Sequence, residues 1–272
     1  MTNTQKRVLS AIVMIGIVAL AYSIGVIGIE ALLIVVSAAC FYEFAKNFLS
    51  LKVTGIFTLI NFVFLLGIQF WAMNNPHVFE GFLIPSIGCL LNLVLIGYLF
   101  VSPMESMNFV NLLKRVTILS MVMFLIPFLN LHSLLNRSNW QALVIILLVF
   151  NFGMDTGAWF FGKNFGKTKL WAAVSPNKTV EGLIGGAATS GLLGTLVWYY
   201  LIGDFAVKYI LIFFILGILS QVGDLIQSKL KRQIGVKDSS NLIPGHGGVY
   251  DRIDSLLFVI PFYTLLLSYK IL

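Results

Sequence analysis

Stretches of about twenty consecutive apolar residues recur along almost the whole chain, and they restrict its fold before any motif is read. A helix needs about 20 residues to cross a hydrocarbon layer of about 30 Å, and there it satisfies every backbone N–H and C=O internally. Nine such runs can be drawn: Val8 to Ile24, Gly28 to Phe48, Thr54 to Met73, Phe82 to Val101, Val116 to Leu135, Trp140 to Phe161, Val180 to Ile202, Val207 to Gln227 and Ile253 to Tyr269. Only 11% of the 272 residues are charged and 58% are hydrophobic, whereas a soluble domain carries roughly 25% charged residues. The expected fold is all-α, a polytopic integral membrane protein with about nine transmembrane helices. Neither a linker nor an internal repeat divides the sequence, so residues 1–272 are read as one transmembrane domain.

The net charge of +7 would suggest nucleic acid in a soluble protein, but in a membrane protein the placement of the cations matters first. With an odd number of spans and the N-terminus in the cytoplasm, only Arg137, Lys208 and Lys270 fall outside, leaving 15 of the 18 Lys and Arg inside. That bias matches the positive-inside rule. The expectation is a bilayer partner, no nucleic acid, and both long polar loops on the cytoplasmic side. Ala19-Leu20-Ala21 has the form a signal peptidase accepts, yet the apolar character runs straight on, so the first run is read as a retained span. Cys40 and Cys89 lie in separate apolar runs without metal-type spacing, and neither a disulfide nor a zinc site is expected.

Polarity concentrates in the second half. Residues 1–139 read as scaffold and lipid-facing spans, with Glu43 and Lys46 interfacial and His77 and His132 isolated near the outer side. Residues 140–272 read as the half that carries a site. Ionisable side chains inside a span cost roughly 2.5–3.5 kcal/mol on insertion scales and mark function by default. Asp155 lies four residues after Asn151 in the sixth run, where a hydrogen-bonded pair is the bland alternative. Ser220, Asp224 and Gln227 or Ser228 share one helical face of the eighth run. Asp251 and Asp254, with Arg252 between them, open the ninth, where simple helix capping is the bland alternative.

Two polar loops complete the pattern. In Ser175-Pro176-Asn177-Lys178-Thr179-Val180-Glu181-Gly182 the spacing predicts a helix capped by Asn177 or Ser175 with Glu181 in its first turn. The 27 residues from Ser228 to Asp254 hold five cations (Lys229, Lys231, Arg232, Lys237, Arg252), the carboxylates Asp238, Asp251 and Asp254, and the turn Pro244-Gly245-His246-Gly247-Gly248. Glycines 245, 247 and 248 would let backbone N–H groups approach an anion. His246 would either donate to a phosphate or shape the turn. Carboxylates that hold a divalent metal, beside cations that bind polyphosphate, suit in-line displacement at phosphorus, a chemistry of positioning and charge neutralisation that needs no Ser-His-Asp pattern.

The stretch S-K-L-K-R, K-D at Lys237-Asp238, P-G-H-G-G and D-R-I-D resembles the phosphatidate cytidylyltransferases, or CDP-diacylglycerol synthases, along its whole length. Gln221 to Asp224, the Ser175 to Gly182 segment and Asp155-Thr156-Gly157-Ala158 are similar to that family as well, so the resemblance covers about residues 151–257. It implies the reaction CTP + phosphatidate → CDP-diacylglycerol + pyrophosphate, dependent on Mg²⁺, with a monovalent cation such as K⁺ as the second ion of a paired-cation centre. It also implies an inner (plasma) membrane location with a cytoplasmic active site, and a homodimer is plausible for the family. On this reading Asp224 and Asp251 are the metal ligands, with Asp254 a third or supporting group. Lys231, Arg232, Lys237 and Arg252 neutralise the triphosphate, and Asp238 belongs to the same catalytic stretch. Ser175, Asn177, Lys178, Thr179 and Glu181, with Asp155 and the three glycines, meet CTP or the lipid phosphate. A transporter is disfavoured because the charges collect at one face, and a polybasic scaffold because it leaves the aspartates unexplained. The D-G-x-x-A-R motif of the CDP-alcohol phosphotransferases is absent.

Overall fold

The computed structural model describes residues 3–79 and 81–272. The chain runs α1 (Asn3–Ile24), α2 (Val26–Glu43) continuing into a π-helical turn (Phe44–Phe48), α3 (Ile56–Asn74), the short α4 (Pro76–Phe79), α5 (Leu83–Val101), α6 (Asn108–Arg115), α7 (Thr117–Leu135) and α8 (Trp140–Phe165). A hairpin of β1 (Lys169–Trp171) and β2 (Ser175–Thr179) precedes α9 (Val180–Ile202), α10 (Val207–Gln233) and α11 (Tyr250–Ser268). Among the described residues eight helices are long and apolar enough to cross a membrane. The ninth, α11, has the length but carries Asp251, Arg252 and Asp254 at its start, ahead of a buried apolar body from Leu256 to Leu267.

Contacts between loops show that the long helices alternate in direction. At one end Ser268 Oγ donates to Gly81 O (3.0 Å), Arg137 donates to Ser268 Oγ (3.0 Å) and Lys208 Nζ donates to Ile271 O (3.0 Å). At the other end Arg7 Nε donates to Gly245 O (3.0 Å), Asn47 Nδ2 to Ser239 O (2.7 Å) and Gln233 Nε2 to Ser106 O (2.8 Å). Both polar loops and the start of α1 therefore share one end.

Lipid tails are as apolar as Leu, so helices in a bilayer are held by close packing and interhelical hydrogen bonds rather than by the hydrophobic effect. α1 turns Ile12, Ile15, Leu20 and Ile24 outward, whereas α7 is buried along most of its length. Buried polar side chains tie the spans together: Gln69 to Ser37 (2.8 Å), Thr264 to Asn130 (2.6 Å), and Asn92 to Phe258 O (2.7 Å). His132, expected to be isolated, is instead buried with Nε2 at 3.4 Å from Gln69 and Nδ1 at 3.9 Å from Glu30. Asn151 does not pair with Asp155. It accepts from Ser220 Oγ (2.7 Å) and donates to Ser255 Oγ (3.2 Å), joining α8 to α10 and α11.

The predicted helix start in the second loop also moves. Ser175 to Thr179 is extended, paired with β1 through Lys169 opposite Thr179 and Trp171 opposite Ser175. Thr179 is the cap, its hydroxyl accepting from Gly182 N–H at 3.1 Å. Glu181 is in the first turn as expected, where its carboxylate accepts from the backbone N–H groups of Lys167 and Thr168.

α8 and α9 approach closely through small residues. A Cβ at Gly186 would lie 2.7 Å from the Met154 carbonyl, and one at Gly157 would lie 2.5 Å from Thr189 Oγ1. A backbone carbonyl cannot rotate aside, so Gly186→Ala should destabilise the folded protein by about 1–3 kcal/mol, the usual cost of overpacking. Gly67→Ala, which would meet nothing within 4 Å, should not lower stability comparably. Thermal unfolding of both variants in detergent checks this.

Candidate active site

Asp251, in the first turn of α11, is the most heavily bonded side chain at the polar end. Oδ1 accepts from Lys231 Nζ (2.8 Å) and Gln227 Nε2 (3.3 Å); Oδ2 accepts from Ser239 N–H (2.7 Å), Ser239 Oγ–H (2.9 Å) and Gly248 N–H (2.9 Å). A carboxylate offers about four lone-pair positions, so five donors saturate it. The last of them makes the anion bound by the glycine-rich turn, at Gly248, the protein's own carboxylate.

α10 supplies the second carboxylate. Asp224 accepts from Lys178 Nζ at 2.5 Å and from Ser228 Oγ at 3.1 Å, so the β-hairpin loop and α10 meet in an ion pair. Gly223 makes the approach of α10 to α11 possible, because a Cβ there would lie 2.4 Å from Phe258 Cβ. Asp254, one turn beyond Asp251, receives only the N–H of Ser255 (2.8 Å) and has no ion pair among the described residues. Asp224, Lys231 and Lys178 nonetheless act on it electrostatically. Asp155 is exposed on the flank of α8 and interacts electrostatically with Asp224, Lys178 and Arg252. Of the predicted residues, then, Asp155, Lys178, Asp224, Lys231, Asp251, Arg252 and Asp254 form one cluster.

Others lie around it. Arg232 is exposed and reaches only Val236 O at 3.4 Å. Lys237 and Asp238 are exposed and line a cleft of about 720 Å³ with Tyr42, Lys46 and Asn47. Ser175 is half-buried and Asn177 exposed in β2, while Thr179 and Glu181 are occupied by the local bonds described above. Gly245 and Gly247 have φ of 78° and 86°, the left-handed region that favours glycine, in a turn closed by Ile243 N–H to Gly247 O at 2.8 Å. His246 Nδ1 is 2.7 Å from Ser10 Oγ. Burial, then the charges of Arg252 and Arg7, hold the imidazole below its ordinary pKa, against a hydrogen bond with the Pro244 backbone that acts in the opposite sense.

Three participants were not anticipated. Arg7 and Ser10 of α1 grip the turn at Gly245, Pro244 and His246. Glu43, which the sequence reading left without a role, is fully buried and accepts from Ser239, Ser240 and the N–H groups of Val249 and Tyr250. Lys229, counted among the five cations of the Ser228–Asp254 stretch but given no role there, caps α5 by donating to the carbonyls of Tyr98 (3.0 Å), Leu99 (2.8 Å) and Ser102 (2.5 Å). A charged residue at the end of an apolar run was the only sequence signal for Glu43.

Among the described residues no three His, Cys, Asp or Glu side chains form a ready metal cage. The donor chemistry is nevertheless right for a hard divalent cation, which prefers oxygen ligands. Asp224 and Asp254 fit best, since neither is saturated by protein donors; Asp251, with five, does not fit as arranged.

A polytopic helical bundle with carboxylates and cations gathered at one end defines a membrane protein suited to hold a polyanion at the bilayer surface. The chain belongs to the cytidylyltransferase family, whose model it matches over residues 5–270. It is similar to the phosphatidate cytidylyltransferase of Bacillus subtilis (strain 168), at 50% identity over 117 residues, 42% of this chain and 43% of that protein. It is also similar to the one from Staphylococcus haemolyticus (strain JCSC1435), at 47% over 116 residues, 42% and 44% of the two chains. These alignments span less than half the length of either relative.

Arg7→Gln should raise the pKa of His246 by removing one of the two charges that disfavour the imidazolium. An NMR pH titration of the ¹⁵N-labelled histidine in detergent checks the direction.

Proposed function

We propose that the protein is a phosphatidate cytidylyltransferase, which joins CTP and phosphatidate to give CDP-diacylglycerol and pyrophosphate at the cytoplasmic surface of the inner (plasma) membrane. Membership of the cytidylyltransferase family and the names of the relatives support the reaction class. The observation that carries the reading is the Lys178–Asp224 ion pair, which joins the β-hairpin loop to α10 within one cluster of acidic and cationic side chains. The predominance of Lys and Arg at the same end supports its cytoplasmic orientation.

In this reading a phosphatidate oxygen attacks the α-phosphorus of CTP. A new P–O bond forms there, and the bond to the oxygen bridging the α- and β-phosphates breaks, releasing pyrophosphate. The attacking oxygen is already largely anionic near pH 7, because the second pKa of a phosphate monoester is about 6, so no general base is required. Lys178, Lys231, Arg232, Lys237 and Arg252 neutralise the triphosphate and the departing pyrophosphate. Asp224 and Asp254 would hold Mg²⁺, with K⁺ as a second ion; a bound divalent ion draws charge from the phosphoryl oxygens. Asp251 organises Lys231 and the glycine-rich turn rather than ligating metal. Asp155, exposed on the flank of α8, lies where a lipid headgroup can enter from the bilayer while its acyl chains remain among the lipids.

Release of labelled pyrophosphate from CTP, dependent on added phosphatidate and Mg²⁺, is the direct test; release without phosphatidate would overturn the reading. Lys178→Ala and Asp224→Ala should each lower kcat by about 10²-fold or more, the scale on which removal of one transition-state charge contact acts. Near-normal turnover in a folded variant would remove that residue from the site.

A further inference from the structure

Glu43 lies at the end of α2, in the half of the chain without predicted chemistry, yet it is the most deeply buried carboxylate at the polar end, with 0% exposure. It has no ion pair among the described residues. Burying a charge without a counter-ion is costly unless hydrogen bonds replace its water, and here three donors do so, with a fourth, the Ser239 hydroxyl, shared with Asp251. Oε1 accepts from Ser240 Oγ–H (2.6 Å) and Val249 N–H (2.9 Å); Oε2 accepts from Ser239 Oγ (3.0 Å) and Tyr250 N–H (3.0 Å). The last is one of the N–H groups at the start of α11, which have no partner within their own helix. A side chain distant in sequence thus caps the helix that carries Asp251 and Asp254.

The local chain is built around this contact. Immediately after Glu43, α2 widens into a π turn closed by Leu49 N–H to Phe44 O at 3.1 Å, the kind of helix defect that recurs at functional sites. At Gly248 a Cβ would lie 1.9 Å from Ser239 Oγ and 2.5 Å from Glu43 Oε2, so the turn closes on the glutamate only with glycine there. Ser239 Oγ lies 3.0 Å from Glu43 Oε2 and 2.9 Å from Asp251 Oδ2. One hydroxyl proton serves two carboxylates, and Asp251 in turn holds Lys231 at 2.8 Å.

We infer that Glu43 is a positioning residue of the transfer site, acting through Ser239 and the amides of Val249 and Tyr250 to fix the 239–251 loop and hence the Asp251–Lys231 pair. Its effect on turnover rests on the proposed cytidylyl transfer; its effect on the loop does not. Glu43→Gln keeps the size of the side chain but replaces one accepting oxygen with a donor that faces other donors. Glu43→Asp keeps the carboxylate.

Hydrogen exchange and steady-state kinetics on the full-length protein in detergent test the inference. In Glu43→Gln, exchange at Val249, Tyr250, Ser239 and Gly248 should rise about tenfold or more, consistent with losing hydrogen bonds to a charged group, while the amides of α3 and α5 keep their protection. With CTP and phosphatidate, kcat should fall at least tenfold with the KM for phosphatidate changed less than threefold, and Glu43→Asp should recover part of the loss. Wild-type exchange in the loop would overturn the inference. So would a uniform rise across all helices with a matching loss of thermal stability, the mark of a purely structural residue. If wild-type protein releases no pyrophosphate from CTP, the proposed reaction fails while the exchange measurement still decides the role of Glu43.

Discussion

The hydroxyl of Ser239 stands between two carboxylates from opposite ends of the sequence, Glu43 and Asp251, and the arrangement of the polar end depends on how those charges are satisfied. Neither can be left in a low-dielectric interior without donors. Glu43 therefore captures two amides at the head of α11 and two serines, while Asp251 captures the Gly248 amide, Ser239 and Lys231. The geometry of the glycine-rich turn follows: Gly248 has no room for a side chain, and Gly245 and Gly247 take left-handed backbone conformations. The polar end of the helical bundle is thus held by hydrogen bonds rather than by apolar packing.

Beneath that surface the bundle uses the two means available in a bilayer, small residues that let backbones approach and polar side chains that bond across helices. The two serve the site directly. Gly223 draws α10 against α11 one residue before Asp224, and Asn151 ties both to α8 through Ser220 and Ser255. Lys229, a cation in a polar run, is used to close the end of α5 and so supports the wall behind the site rather than facing a substrate.

The division into an N-terminal scaffold and a C-terminal site describes where the recognisable motifs lie. The contacts cross that division: Arg7 and Ser10 hold the Pro244–His246 turn, and Glu43 caps α11. The charges bearing on His246 come from both sides, Arg252 from the start of α11 and Arg7 from the start of α1.

The sequence by itself determined the all-helical membrane fold, because spans of this length and apolarity have few other ways to satisfy their backbone in lipid. It further located the acidic and basic residues of the cluster, whose motifs are local and whose charge is conspicuous in so apolar a chain. What it did not reveal was which donor each carboxylate receives. Thr179 replaced Asn177 and Ser175 as a cap because hairpin pairing keeps those residues extended. Glu43, Arg7 and Ser10 joined the site only because the fold returns their helices to the loop more than 190 residues away. Tertiary structure decided these roles because a hydrogen bond depends on distances of a few tenths of an ångström between chain-distant atoms, and residue spacing along the chain carries no record of them.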